Sequence, residues 1–236
     1  MMPDRRVGHL LGVLLLLHFF LGLILPYVLL DAALVPPSFL ESAAADAAGV
    51  RGAVGLFILA AVLVLGIAIA AWPLLRADAE RLAMALLALA IANVSLQLVE
   101  SGALLTMLSL SQDFAIANGG DISRLQAAGA VASAARKWAH YTQLLTVVSW
   151  LFLLYVTLWR TALVPRLLAA AGMVTTALQI VGVPVRGLLG YPPIMEMAMP
   201  LAPVHVMLAA WLIVKGVRVA PDVPRPLARP VALGHG

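Results

Sequence analysis

The stretch GAVGLFILAAVLVLGIAIAAWPLL, residues 52–75, contains no charged side chain. A helix over these residues is about 36 Å long, which is enough to cross the roughly 30 Å hydrocarbon core of a bilayer. The stretch therefore predicts a transmembrane helix. The rest of the fold can be worked out from this helix in both directions along the chain.

The composition of the whole chain agrees with a membrane environment. Of its 236 residues, 63% are hydrophobic and 11% are charged, whereas soluble domains average roughly 25% charged residues. The absence of cysteine excludes disulfides and thiolate metal sites. No basic surface interleaved with aromatic residues suggests a nucleic-acid partner. The predicted partners are membrane lipids, and the oligomeric state stays open.

Six apolar runs are long enough to span a bilayer, and they predict an all-α, polytopic membrane bundle. The runs are Val7–Leu30, Gly52–Leu75, Leu82–Leu110, Trp138–Trp159, Leu163–Val183 and Leu201–Val217. The first exceeds the usual 7–15 residues of a signal-peptide core and is predicted to be retained. Its Gly8 and Gly12 form a GxxxG pair suited to helix contact, within the chain or between chains. Most members of a set of five aromatic residues are interpreted as interfacial: Tyr27, Trp72, Trp150, Tyr155 and Trp159.

The distribution of basic residues predicts the orientation, because Lys and Arg concentrate on the cytoplasmic side of membrane proteins. With the N-terminus inside, the cytoplasmic segments hold Arg5, Arg6, Arg76, Arg81, Arg160, Arg166, Lys215, Arg218, Arg225 and Arg229. The outer segments hold Arg51, Arg124, Arg136, Lys137 and Arg186. Six spans with both ends in the cytoplasm, in the bacterial inner membrane, fit this bias. Residues 1–220 form one predicted domain, and residues 221–236 form a predicted flexible cytoplasmic tail.

Two predicted spans carry polar side chains at the i, i+4, i+7 spacing of a single helix face. They are Asn93, Gln97 and Glu100 in the third span, and Arg136, His140 and Gln143 in the fourth. Ionisable groups at membrane depth are costly and usually face the bundle interior. Glu100 must be protonated or paired there, and Arg136, Lys137 or His140 are its candidate partners. Interhelical hydrogen bonds or a structural ion pair are the simpler alternatives.

The fifth and sixth spans add Gln179 and His205. Counting from the predicted outer ends, both residues are expected at the level of Glu100, His140 and Gln143. Four helices would then supply polar groups to one chamber in the outer half of the bilayer.

The C-terminal half resembles an uncharacterised bacterial six-helix membrane family, described only as a domain of unknown function. The resemblance rests on AHYTQLLTVVSWLFLLYVTLWRTALVPRLLAAAGMV, residues 139–174, and PLAPVHVMLAAWLIVKGV, residues 200–217. The shared features are His140, the pair Pro165 and Arg166, and a closing Trp211, Leu212, Lys215 and Gly216. Such proteins commonly carry a glutamate in the sixth span, where this chain has His205. The resemblance implies a six-helix membrane fold and no known activity.

Three hypotheses follow for the chamber, since no phosphate loop, GxSxG or HExxH motif is present and the cofactor stays unknown. The first is a non-catalytic or transport-related pocket for a small amphiphile or lipid, with Asn93, Gln97, Arg136, Gln143, Gln179 and His205 as ligand contacts. The second is an intramembrane enzyme that uses Glu100 and His140 as an acid–base pair on a lipid or isoprenoid. The third is a metal or haem site at His140 and His205, with Glu100 as a further ligand.

Overall fold

The structure is a computed structural model, and it describes residues 2–24, 39–190, 197 and 199–219. Its elements are β1 (Met2–Asp4), α1 (Arg5–Ile24), α2 (Phe39–Ser42), α3 (Ala47–Ile116), α4 (Asp121–Thr161), α5 (Arg166–Leu189), α6 (Leu201–Lys215) and β2 (Val217–Val219). The fold is helical apart from the two three-residue strands. By length and composition, α1, α3, α4 and α5 can each cross a membrane, and α6 is a shorter apolar helix.

The longest helix, α3, is a helical hairpin. A straight helix of its 70 residues would be about 105 Å long. Yet Ser111, near its end, donates a hydrogen bond to the carbonyl of Leu40 and accepts one from the amide of Ala44, just before its start; both are 2.8 Å long. The backbone leaves helical geometry at Ala79, with φ −149° and ψ 45°. The chain reverses there and divides α3 into a first limb, residues 47–78, and a second limb, residues 80–116.

The two short strands lie together at one end of the bundle. Strands β1 and β2 pair antiparallel, with Met2 opposite Val219. We call this end the sheet end and the opposite one the far end. A small apolar cavity of about 20 Å³ lies near the strands. Its lining includes Leu11, Leu75, Leu158, Leu163, Leu212 and Val217. The reversal at Ala79 and the turn between α4 and α5 therefore also lie at the sheet end.

Neighbouring helices close into a ring. Helix α1 packs against α3 and α6, α4 packs against α3 and α5, and α5 also contacts α6. The apolar core runs through the sheet half of this ring, where the fully buried side chains include Leu15, Ile67, Leu86, Leu208 and Leu212. Many large apolar residues face outward, as expected for a surface in contact with lipid.

Glycines bring α1 and α6 into close contact. A Cβ atom on Gly12 would lie 2.7 Å from the carbonyl oxygen of Ala209 and 2.7 Å from Cγ1 of Ile213, and one on Gly8 would collide with the backbone of Gly216. The predicted GxxxG pair is thus used within the chain, where the missing side chains let the two backbones approach.

Two helix starts differ from the predicted spans. Helix α4 begins at Asp121, well before Trp138, because its small-residue segment continues into the span without a break. Helix α5 begins at Arg166 and not at Leu163, because Ala162 ends α4 in a left-handed conformation with φ 51° and Pro165 precedes the next helix.

Helix ends differ as well. Helix α6 stops at Lys215 because Gly216, with φ 72°, turns the chain into β2, so Val217 belongs to a strand. The predicted end of the first span at Leu30, and the predicted tail over residues 221–236, lie outside the described residues.

Replacing Gly12 with valine is expected to destabilise the fold by about 1–3 kcal/mol, because the added side chain forces α1 away from Ala209 and Ile213. Gly22→Val is the matched control, since a Cβ on Gly22 meets no atom within 4 Å. Unfolding in mixed detergent micelles measures both variants. Equal stability of the two would contradict this packing.

Candidate functional site

The second limb of α3 and helix α4 bring six of the predicted site residues together. We call them the α3–α4 polar cluster. They are Asn93, Gln97, Glu100, Arg136, His140 and Gln143. The i, i+4, i+7 spacing puts three on one face of each helix, and the two faces meet along the contact between the helices.

Glu100 is the centre of the cluster, and its side chain is 0% exposed. Its Oε1 accepts from Nη2 of Arg136 at 3.4 Å and lies 2.9 Å from Nδ1 of His140. Its Oε2 accepts from Nε2 of Gln97 at 3.3 Å. A charged carboxylate only accepts hydrogen bonds, so an ionised Glu100 takes its counter-charge from the Arg136 guanidinium and accepts from His140 in the tautomer that carries a proton on Nδ1.

Asn93 and Gln143 form a second contact closer to the sheet end. Nε2 of Gln143 donates to Oδ1 of Asn93 at 2.9 Å, and Asn93 is almost fully buried. Seven residues separate Asn93 from Glu100, and seven separate Arg136 from Gln143. The matched spacing lets two antiparallel helices pair both sets of side chains at once.

The cluster is open on the α4 side. The side chain of Arg136 is 19% exposed and that of His140 is 31% exposed, whereas Glu100 behind them is fully covered. Two buried side-chain nitrogens of the cluster have no hydrogen-bond partner among the described residues: Nδ2 of Asn93 and Nε of Arg136. A molecule approaching α4 thus reaches Arg136 and His140 first.

His205 belongs to a different group. Its Nδ1 lies 3.3 Å from the hydroxyl of Tyr155, its ring centroid is 5.7 Å from that of Phe19, and it is close enough to His18 for an electrostatic interaction. Tyr155 is fully buried, so its interpretation as an interfacial aromatic is wrong. Its ring fills the space left by the missing side chain of Gly172 on α5.

The prediction that His205 shares the level of His140 is also wrong. Tyr155, the partner of His205, is 15 residues from His140 on α4, about 22 Å along the helix axis. The prediction assumed that the sixth span starts at the outer surface. Helix α6 has 15 residues, about 22 Å in length, and β2 holds its end at the sheet end, so its start lies within the bundle.

This separation removes the geometric basis for a metal or haem site shared by His140 and His205, because their imidazoles do not converge. Within the part of the chain that the structure describes, no group of three or more His, Cys, Asp or Glu side chains is positioned to hold a metal ion.

Gln179 is half-buried on α5, the helix that packs against the other side of α4. Its part in ligand binding stays a prediction. Sequence reasoning did not assign Tyr155 to the His205 group. The one local signal for its burial is Gly172 on the facing helix, and its meaning depends on knowing that α4 and α5 are neighbours.

Two cavities lie away from the cluster. One is the small apolar cavity at the sheet end. The other, about 490 Å³, is an open hollow at the far end between α3 and α4. Its lining residues are Asp113, Ile116, Ala117, Asn118, Asp121, Arg124 and Leu125. The cluster residues line neither cavity, so any ligand of the cluster binds against the half-exposed face of α4 rather than inside these two spaces.

Comparison with protein families supports the predicted resemblance. The family model described as "Domain of unknown function (DUF4386)" matches residues 10–216, which include α3 to α6 in full and most of α1. The chain belongs to this family. The match extends through the N-terminal half as well as the C-terminal half. No curated protein and no solved structure matches the chain.

A double-mutant cycle over Glu100→Gln and Arg136→Gln is expected to give a coupling energy of about 0.5–3 kcal/mol, because either change alone leaves a buried partner unpaired. The same cycle on Asp121 and Arg124 is the control, since that pair has side chains 68% and 85% exposed and should couple by less than about 1 kcal/mol. Chemical unfolding in detergent measures both cycles. Equal coupling in the two would show that burial does not strengthen the Glu100 pair.

Proposed function

We propose that the protein is a multi-pass protein of the bacterial inner membrane with six membrane segments: α1, the two limbs of α3, α4, α5, and the 15-residue α6, which enters the bundle without crossing the whole hydrocarbon core. The support is that the β1–β2 pair, the Ala79 reversal and the α4–α5 turn all lie at the sheet end. Arg76 and Arg81 flank the reversal, and Arg160 and Arg166 flank the turn. The positive-inside rule then makes the sheet end cytoplasmic.

Single cysteines test this topology cleanly, because the chain has none of its own. Asp78→Cys introduces a thiol at the sheet end and Ser123→Cys introduces one at the far end, both at exposed positions. In intact spheroplasts, a membrane-impermeant maleimide is expected to label Ser123→Cys only. Asp78→Cys should react after permeabilisation. Labelling in the reverse order would invert the proposed orientation.

Within this bundle, the α3–α4 polar cluster binds the polar headgroup of a small amphiphile or lipid. The observation that carries this proposal is the arrangement of Glu100, fully buried, behind Arg136 and His140, which are partly exposed. The apolar outer surfaces of α3 and α4 lie on either side and suit an alkyl chain. A few polar anchors in apolar surroundings are typical of ligand sites.

A purely structural ion pair is the simpler use of the same residues. Burying charges is costly, and apolar side chains of similar volume often hold two helices together equally well. Six polar residues at one seam, two of them with unpartnered donors, exceed what helix packing requires. Ionisable groups at membrane depth are therefore best interpreted as a functional site.

Native mass spectrometry of the detergent-purified protein tests the binding proposal. The wild-type protein is expected to retain an amphiphile, and Glu100→Gln should reduce its occupancy by about tenfold through loss of the charge that positions Arg136. Glu80→Gln is the matched control, because it makes the same change at an exposed position on α3. A wild-type protein free of lipid, or full retention by Glu100→Gln, would overturn the proposal.

One observation favours a catalytic alternative. His140 Nδ1 lies 2.9 Å from Glu100 Oε1, which meets the hydrogen-bond reach expected of an acid–base pair. The carboxylate orients the imidazole and leaves Nε2 for a substrate proton. In this alternative, a lipid or isoprenoid is the substrate.

Substitution of His140 with glutamine distinguishes the two functions, since glutamine hydrogen-bonds but does not exchange a proton at neutral pH. For a binding protein, the wild type and His140→Gln should release the same molecule. For an enzyme, His140→Gln should release an unreacted substrate whose mass differs from that of the wild-type ligand.

A further inference from the structure

In the α3–α4 polar cluster, the acceptor oxygens of Glu100 and Asn93 have partners, whereas two buried donors have none among the described residues. The acceptors of Glu100 are all used within the chain, with Arg136 and His140 on Oε1 and Gln97 on Oε2. Oδ1 of Asn93 accepts from Gln143. The buried cluster atoms that lack a partner in the described structure are Nδ2 of Asn93 and Nε of Arg136, and both are N–H donors.

A buried donor without an acceptor is costly. The cluster therefore calls for oxygen acceptors from outside the chain.

The charges at the cluster also favour a ligand with acceptor oxygens. The one carboxylate is buried behind Arg136 and His140, so an approaching headgroup meets positive or neutral groups first. A cationic headgroup would meet the Arg136 guanidinium, and the Glu100 carboxylate that could pair with it is covered, whereas an anion would form charge-assisted hydrogen bonds with Arg136.

We infer that the ligand of the cluster carries an acidic oxygen headgroup, a carboxylate or a phosphate, which accepts hydrogen bonds from the partly exposed guanidinium of Arg136. This inference rests on the proposed function, because it names the chemical class of the amphiphile that the cluster binds. The Arg136 guanidinium then contacts Glu100 on one side and the ligand anion on the other, and its planar set of donors suits both.

Amphiphiles with one alkyl chain and different headgroups test the inference on the full-length protein in nanodiscs. The probes are lauric acid, dodecyl phosphate, dodecanol and dodecyltrimethylammonium, with inorganic phosphate as the free anion. The two acids are expected to bind at least about tenfold more tightly than dodecanol and the cationic probe. Inorganic phosphate is expected to bind much more weakly than dodecyl phosphate, because it lacks the alkyl chain.

Arg136→Lys tests the named donor, because lysine keeps the positive charge beside Glu100 and removes Nε and the planar geometry. The variant is expected to bind lauric acid and dodecyl phosphate about tenfold more weakly than the wild type and to bind dodecanol with unchanged affinity. Lys137→Gln is the control, because it removes a full charge one residue away and spares both unpartnered donors. Its effect should stay below about threefold.

The outcomes separate the inference from the proposed function. If all four amphiphiles bound equally well, the proposal of an amphiphile site would stand and the inference of an acidic headgroup would be overturned. Binding of none of them would overturn the proposed function itself. Phosphate that binds as tightly as dodecyl phosphate would support the acidic-oxygen contact and overturn the amphiphile. If Lys137→Gln lost as much affinity for the two acids as Arg136→Lys, general surface electrostatics would explain the binding. That result would overturn the inference.

Discussion

A buried carboxylate constrains the relation between α3 and α4. Water does not reach Glu100, so the chain itself must supply its counter-charge and its donors. Arg136 and His140 meet this need only when α4 lies at one height and one rotation relative to the second limb of α3. The same register brings Gln143 to Asn93. One electrostatic requirement thus fixes two contacts, and with them the whole seam between these helices.

A second constraint acts at the opposite end of the bundle. The pairing of β1 with β2 and the close approach at Gly8 and Gly12 join α1 to the end of α6. Because α6 is short, this attachment places His205 deep in the bundle, beside Tyr155. The depth of a residue in a membrane bundle depends on where its helix is anchored, and not only on its distance from the end of an apolar run.

The sequence predicts the contacts that follow from helix geometry, and it does not predict those that depend on the length and attachment of a helix. The polar faces of α3 and α4 follow from helix geometry alone, since side chains at i, i+4 and i+7 point the same way in any helix. Their pairing follows from the cost of an unpaired Glu100. The position of His205 required the length of α6 and its attachment, which hydropathy does not define. The burial of Tyr155 required Gly172 on a neighbouring helix, and the Ala79 reversal lies within a segment that remains helical on both sides.

An apolar stretch of α4 separates the α3–α4 polar cluster from the His205 group. Between Gln143 and Tyr155, α4 buries Val148, Leu151 and Leu154 in the apolar core. The polar hydroxyls of this stretch, on Thr146 and Ser149, bond to the backbone of their own helix. The α3–α4 polar cluster is therefore exposed only at the outer surface of α4, and packed apolar side chains separate it from the His205 group. Any path through the bundle from the cluster to the His205 group would require the side chains of Val148, Leu151 and Leu154 to separate.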